Sequence, residues 1–447
     1  MLLEKGTDKA VYSIRVQVND DKGYLGKVFM TIDQTGASVG DITRVGAGYN
    51  HTTREIDVLV DDQDHLNWIL EELGKLEGTR IQGVSNHVEE MHVGGKIEMR
   101  SRIKVRGISD IRKLYTPGVA YICKQIEANP ELFPKYTYVQ NTVAIVTNGT
   151  AILGLGDIGV KAGMPVMEGK ALLFSELVGI NGIPVLIDSK DSDEIVRTVR
   201  NIATGFGAIK LEDIASPQCF DVEDRLSREL EIPVMHDDQH GTAVVVLASL
   251  LNGCRYTGVQ IRSANIGIIG LGAAGLGISK LLTAFGVKSI LGTDIKDSAK
   301  QMLQQIGGEP TDLTSLMQRA DIVVATTGVP GLIKPTMIRP RHAIFALSNP
   351  NPEIKPEDAL AAGAIFAADG RSVNNALAFP GLFKGALGAR ARCINNRMKI
   401  AAAEAIAAEA DEGELVPYLL KEGLHQRVAQ KVERAAFESG ANIHKST

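Results

Sequence analysis

The sequence predicts an α/β protein: a small N-terminal unit, then two larger domains that alternate strands with helices. Three observations carry this. Glycine is abundant (46 of 447 residues) and aromatic residues are scarce at 5 %, which suits tight strand–helix turns better than a β-sandwich. Short apolar runs of strand length alternate with runs of helical period along most of the chain. Two glycine-rich turns, at 154–159 and 270–275, each follow an apolar run that reads as a buried strand. The length accommodates two or three domains, which we place at 1–92, 93–250 and 251–447.

Composition narrows the function classes. A net charge of −5 supplies no basic footprint for nucleic acid. Cys123, Cys219, Cys254 and Cys393 are far apart and form no C-x-x-C pair, as expected of thiols packed in a reducing compartment. No charged-then-apolar leader opens the chain, so the expected location is the cytoplasm. The apolar stretch 266–287 is interrupted by glycines and Lys280, and reads as strand, turn and helix rather than a membrane span.

Taken in order, residues 11–18 alternate like a half-buried strand, and 24–34 place Leu25, Val28, Phe29 and Ile32 on one helical face. Strand-like runs near 38–46 and 53–60, a helix at 62–74 and a strand at 79–90 complete a β-α-β-β-α-β order, the ferredoxin-like unit. With Gly26 at the start of its first helix, this unit resembles the ACT family. That resemblance implies a regulatory module for a small effector, commonly shared across a subunit interface, with an inert oligomerisation domain as the alternative.

A basic connector (Lys96, Arg100, Arg102, Lys104, Arg106) leads to Leu-Tyr-Thr-Pro-Gly-Val-Ala at 114–120, a turn that presents Tyr115 either to a cleft or as a structural phenol. Residues 143–174 run strand, glycine turn, helix and strand. The turn Gly154-Leu-Gly156-Asp-Ile-Gly159 formally matches a dinucleotide fingerprint, but no acid ends a strand some twenty residues on, so it reads as a tight turn only. Lys170 opens the apolar run Ala-Leu-Leu-Phe, where burial disfavours a charged amine; pairing with Glu168 on the surface is the other reading.

Residues 209–242 hold two acidic pairs, Glu212/Asp213 and Asp237/Asp238, each after an apolar run that reads as a strand end. Like charges brought together repel, and a divalent cation is the usual remedy. Oxygen-only ligands select Mg²⁺ or Mn²⁺. His236 and His240 have the i, i+4 spacing of a zinc protease helix, but Asp237 stands where that motif needs Glu, and Pro233 points to a strand.

The second glycine turn is the stronger one. Ile266–Gly270 is a buried strand, Gly270-Leu-Gly272-Ala273-Ala274-Gly275 the turn, and the next strand ends in Asp294, nineteen residues after Gly275. Glycines let the backbone approach a pyrophosphate at a helix N-terminus, and Asp294 would take the adenine ribose. This is a Rossmann domain. Residues 321–328 and 343–352 follow as its fourth and fifth strands, bringing Thr327, Ser348 and Asn349 to the crevice. Residues 373–381 offer a polar turn with Asn375, and the Ala-rich run 399–410 reads as a surface helix closing the chain.

The stretches LYTPGVA, TAILGLGDIG, MPVMEGKALLF, KLEDIASPQCF, HDDQHGTA, IGLGAAGLG, LSNP and VNNALAFPG, in this order, resemble malic enzyme over roughly residues 100–435. The resemblance implies oxidation and decarboxylation of L-malate to pyruvate and CO₂. It implies Glu212, Asp213 and Asp238 as metal ligands, Asp237 as their charge-tuning partner, Tyr115 as general acid and Lys170 as general base. Asn349 and Asn375 would bind malate beside the nicotinamide. Larger members carry an arginine before the first glycine turn where this chain has Thr150-Ala151, so the clamp on the substrate carboxylates is unassigned. Asp294 followed by Ile295 favours NAD, while Lys296 and Lys300 keep NADP open. A malolactic enzyme releasing lactate and a non-catalytic metabolite sensor are the alternatives. A homodimer or higher homo-oligomer is expected.

Overall fold

A computed structural model describes residues 10–20, 23–152, 155–348, 351–370 and 373–442. The chain falls into two compact units, Met1–Lys96 and Ile97–Thr447.

In the first unit, β1 (Ala10–Asn19), a helix Tyr24–Gln34, β2 (Ser38–Ala47), β3 (His51–Val60), a helix Gln63–Gly74 and β4 (Thr79–Ser85) appear in the expected sequence. The strands pair antiparallel in the order β2-β3-β1-β4. Strand alternation sends Ile14, Val16 and Val18 to one face, where Ile56 and Val58 join them and the helices add Val28, Ile32, Leu66 and Ile69. Each such burial contributes about 1.5–3 kcal/mol. The strand expected to reach residue 90 instead stops at Ser85. The Asn86 side chain accepts the Glu89 N–H at 3.1 Å and starts a short helix, His87–His92. Asparagine is a strong N-cap, and here the cap overrides the apolar pattern.

The second unit contains two parallel sheets. Strands β5 (Thr142–Thr147), β6 (Asn181–Leu186), β7 (Ala208–Leu211) and β8 (Val234–His236) form one, in the order β6-β5-β7-β8. Strands β9 (Asn265–Ile269), β10 (Ser289–Thr293), β11 (Glu309–Pro310), β12 (Ile322–Ala325), β13 (Ala343–Ala346) and β14 (Phe366–Asp369) form the other, in the order β11-β10-β9-β12-β13-β14. That order is the doubly wound dinucleotide-binding arrangement. Strands β5, β12 and β13 are buried throughout, as parallel strands covered on both faces must be.

The helix Asp237–Thr257 starts at the tip of β8 and ends at Gly258, in left-handed conformation (φ 72°), before β9. It runs without a break across residue 250 and is buried in one core with Val143 and Ile145 of β5, Ile266 of β9 and Phe345 of β13. The Ala-rich segment is not a surface helix and does not close the chain. Helix Asn396–Glu409 buries Met398, Lys399, Ala402, Ala403 and Ile406, and helix Leu424–Glu438 follows it. Alanine is a weak hydrophobic signal but permits close helix contact, so burial here left little trace in the periodicity. Glycine extends the same device in helix Phe379–Gly388: a Cβ at Gly385 would lie 2.5 Å from the Ala429 carbonyl oxygen.

Candidate active site

Strands β7 and β8 are neighbours, with Leu211 opposite His236, so the acidic pairs that follow them emerge side by side. Asp213 takes a left-handed backbone (φ 53°) that turns the chain sharply, and its N–H donates to Asp238 Oδ2 at 3.0 Å. One carboxylate oxygen from each of Glu212, Asp213 and Asp238 lies within 4.8 Å of the others. Glu212 and Asp213 are 2 % and 3 % exposed. Asp237 and Asp238 occupy the first turn of helix Asp237–Thr257, where the helix dipole favours negative charge. Three oxygen donors of this kind suit a hard divalent cation such as Mg²⁺ or Mn²⁺. Glycine at 241 is required by the site itself, since a Cβ there would overlap the Asp237 carboxylate.

Two lysines face this group. Lys170, from helix Met164–Val178, lies 2.9 Å from Asp237 Oδ2, 2.9 Å from Glu212 Oε1 and 3.1 Å from Asn375 Oδ1. A single helix, Met164–Val178, covers the end of the segment where the sequence predicts a further strand, and these contacts place Lys170 among the acids rather than in a surface pairing with Glu168. Lys210, which the sequence reading did not single out, points inward from β7, fully buried, to Asp237 Oδ2 at 2.9 Å and to Glu212. The Phe379 ring underlies both ammonium groups, at 5.0 Å from Lys170 and 4.7 Å from Lys210. Burial pushes the Lys210 amine down to about 8 against the pull of Asp237. Burial would raise the Asp237 carboxyl, but Lys170 and Lys210 outweigh it and hold it below its usual value. A lysine in the otherwise apolar run Ala208-Ile-Lys-Leu211 was the available signal for Lys210.

Behind the acids, Glu223 of helix Gln218–Glu229 accepts the His236 N–H at 2.8 Å, Gln239 Nε2 at 3.0 Å and His240 Nε2 at 3.1 Å. His240 Nδ1 lies 3.0 Å from Lys399 Nζ. Burial acts to raise the Glu223 carboxyl and is outweighed by His240 and Lys399, which hold it at about 2. Burial lowers the Lys399 amine to about 8. With both ring nitrogens of His240 engaged, the two histidines form no zinc pair.

The glycine turn lies at the tips of β9, β10 and β12, bordering a cleft of about 440 Å³ that includes Gly270, Leu271, Gly272, Asp294 and Thr327. Gly270 has φ 88°, and a Cβ there would sit 2.8 Å from the Thr326 carbonyl oxygen. Helix Ala273–Phe285 begins at Ala273, with Ala274 and Gly275 in its first turn; a Cβ at Gly275 would strike the Gly270 carbonyl oxygen. Asp294 accepts the Leu271 N–H at 2.7 Å and the Lys296 N–H at 2.8 Å, which fixes the turn against β10. Ser216 and Pro217, just past the acidic pair Glu212/Asp213, border the same cleft. Glu353, fully buried, accepts from Thr327 N (2.7 Å), Thr327 Oγ1 (2.8 Å), Ser348 N (3.3 Å) and Ser348 Oγ (2.5 Å), tying together the chain beyond β12 and β13.

The structure therefore gathers Lys170, Glu212, Asp213, Asp237, Asp238 and Asn375, and places Gly270, Gly272, Asp294 and Thr327 along the second cleft, with Ala273, Ala274 and Gly275 in the first turn of the adjoining helix. Tyr115 stands apart. It follows helix Ile108–Leu114, is 70 % exposed, and has no side-chain hydrogen bond among the described residues. Asn349 and Gly154 lie outside the described residues. Thr150, in place of a clamping arginine, donates to Asn148 Oδ1 at 2.7 Å and accepts the Ala215 N–H at 2.9 Å, bracing the loop after the acids.

Two family descriptions match the chain: the malic enzyme N-terminal domain over residues 98–227, and the NAD-binding domain of D-isomer-specific 2-hydroxyacid dehydrogenases over 239–330. The NAD-dependent malic enzyme 1 of Bacillus subtilis is 51 % identical over 429 residues, covering 96 % of this chain and 98 % of that protein. A bifunctional malic/malolactic enzyme from the same organism is 42 % identical over 77 % of this chain and 91 % of its own. The crystal structure of an NAD-dependent malic enzyme from Thermotoga maritima superposes with a TM-score of 0.73 at 36 % identity, covering 78 % of this chain and 99 % of that one. The chain belongs to the malic enzyme family.

Proposed function

We propose that this protein oxidises and decarboxylates L-malate to pyruvate and CO₂, with NAD as hydride acceptor and Mg²⁺ or Mn²⁺ as cofactor. The observation that carries the reading is the convergence of Glu212, Asp213 and Asp238 beside Lys170, a few residues in sequence from Ser216 and Pro217 at the nucleotide cleft. The near full-length likeness to an NAD-dependent malic enzyme supports it.

In this reading the three carboxylates hold the cation, which when bound supplies Lewis acidity at the malate oxygens. Lys170 takes the proton of the 2-hydroxyl at Nζ as hydride leaves C2. Asp237 holds Lys170 in place, and Asn375 orients it through the shared hydrogen bond. Tyr115 delivers a proton to C3 after CO₂ departs. Asn349 binds malate near the nicotinamide. The glycine turn receives the pyrophosphate, and Asp294 with Ile295 after it selects NAD over NADP. The segments 1–92, 93–250 and 251–447 serve respectively as an ACT-like effector module, substrate domain and nucleotide domain. The protein acts in the cytoplasm as a homodimer. Among the described residues no helix is long and apolar enough to cross a membrane.

An assay with L-malate, Mn²⁺ and NAD tests this. NADH and pyruvate should appear in equal amounts, with NADP a poorer acceptor. Lactate without net NADH would move the chain to the malolactic reaction named for one relative. Absence of any product would overturn the enzyme reading.

A further inference from the structure

Glu223 lies on helix Gln218–Glu229 and is named neither by the catalytic reading nor by the comparisons. Its carboxylate collects three donors from a five-residue stretch: the His236 main-chain N–H at 2.8 Å, Gln239 Nε2 at 3.0 Å and His240 Nε2 at 3.1 Å. That stretch contains Asp237 and Asp238, so the carboxylate grips the chain on both sides of them. The helix that starts there has no side-chain cap, and Glu223 takes that role from outside the helix. Gln239 is fully buried and Lys399 is 7 % exposed, so water replaces these contacts poorly.

The donors and acceptors form a directed chain. A carboxylate only accepts, so His240 donates from Nε2 and carries a bare Nδ1. The Lys399 amine only donates to a neighbouring ring nitrogen, and fills that Nδ1 at 3.0 Å. The order Lys399, His240, Glu223 thus has one consistent arrangement, and it spans 177 residues from helix Gln218–Glu229 to helix Asn396–Glu409.

We propose that Glu223 is a positioning residue for the divalent-metal site. It holds Asp238 at ligand distance by clamping residues 236–240, with His240 and Lys399 fixing the direction of the clamp. The proposal rests on the reading of Glu212, Asp213 and Asp238 as metal ligands. An outer partner of this kind is worth roughly 10- to 100-fold in metal affinity.

Glu223→Gln keeps size and shape but turns one acceptor into a donor, which opposes the His236 N–H at the Oε1 position or Gln239 and His240 together at the Oε2 position. His240 can answer only by moving its proton to Nδ1, and Lys399 blocks that. Removing the far end of the chain, in the double variant Glu223→Gln/Lys399→Met, should therefore recover part of what the single variant loses.

The test is Mn²⁺ binding to the full chain without substrates, followed by the electron paramagnetic resonance of free Mn²⁺. Glu223→Gln should raise the Kd roughly 10- to 100-fold, with kcat at saturating Mn²⁺ close to wild type, and the double variant should recover part of the loss. Should Glu223→Gln fail to fold, Glu223→Asp, one methylene short of its donors, should show the same rise. Wild-type affinity in Glu223→Gln, or in Glu223→Asp when that variant is needed, overturns the clamp while leaving the metal reading intact. A loss of kcat that saturating Mn²⁺ does not restore also overturns it. Failure of the wild-type chain to bind Mn²⁺ removes the metal reading and the clamp together.

Discussion

Carboxylates stand at or just beyond the strand tips of both parallel sheets, and the two sheets satisfy them differently. At the nucleotide crevice, Asp294 accepts two main-chain N–H groups and Glu353 accepts two N–H and two O–H groups. Those charges are spent on holding loops. At the tips of β7 and β8, four carboxylates (Glu212, Asp213, Asp237, Asp238) meet two ammonium groups, Lys170 and Lys210. Glu212 and Asp237 each meet both lysines, whereas neither lysine reaches Asp238 among the described residues. Asp237 Oδ1 is buried without a hydrogen-bond partner among the described residues. Glu353 serves structure, whereas Glu212, Asp213 and Asp238, with one carboxylate oxygen each within 4.8 Å of the others, form the proposed ligand set.

This contrast fixes what substitutions should do. The largest effect belongs to Lys170→Ala, which removes the proposed base: kcat should fall about 10³-fold while NAD affinity, measured by fluorescence titration, stays near wild type. Retained turnover would take Lys170 out of the mechanism. Next, Asp238→Asn should raise the Kd for Mn²⁺ roughly 100-fold without lowering the Tm of the metal-free protein, because it relieves repulsion there. Unchanged Mn²⁺ dependence would shift the ligand assignment to Asp237. At the other sheet the signs reverse. Glu353→Gln should cost about 1–3 kcal/mol of stability in urea unfolding, with Mn²⁺ binding unaltered; a stable Glu353→Gln protein would erase the distinction between the two ends. The smallest change is expected from Asp294→Ser, which should weaken NAD about tenfold by losing a charged acceptor and narrow the preference over NADP, as competing KM values would show.

The same contrast explains what the sequence made legible. Asp294 was found because its strand, turn and spacing are local, all within nineteen residues of Gly275. Glu212, Asp213 and Asp238 were found because two short acidic pairs follow two short apolar runs. Lys210 escaped because its importance comes from complete burial, which one lysine in an apolar strand announces only weakly. Glu223 and Lys399 escaped for a different reason: their contact runs through His240 and joins segments far apart in the chain, and Lys399 sits in an alanine helix whose burial the periodicity does not reveal. Tyr115 is the reverse case. The turn around it was read correctly, since Thr116-Pro117-Gly118 ends helix Ile108–Leu114, yet the phenol is 70 % exposed and owes its proposed role to the family resemblance alone.

The first sheet carries the cluster Glu212, Asp213 and Asp238 that we propose holds a divalent cation. Thermal unfolding of the wild-type and Asp238→Asn chains, each with and without Mn²⁺, tests it most directly. Binding to the folded state alone contributes about 2.7 kcal/mol at a ligand concentration one hundred times Kd. The wild-type Tm should rise clearly on adding Mn²⁺, and that of Asp238→Asn little or not at all. An equal rise in both chains, or none in the wild type, would contradict it.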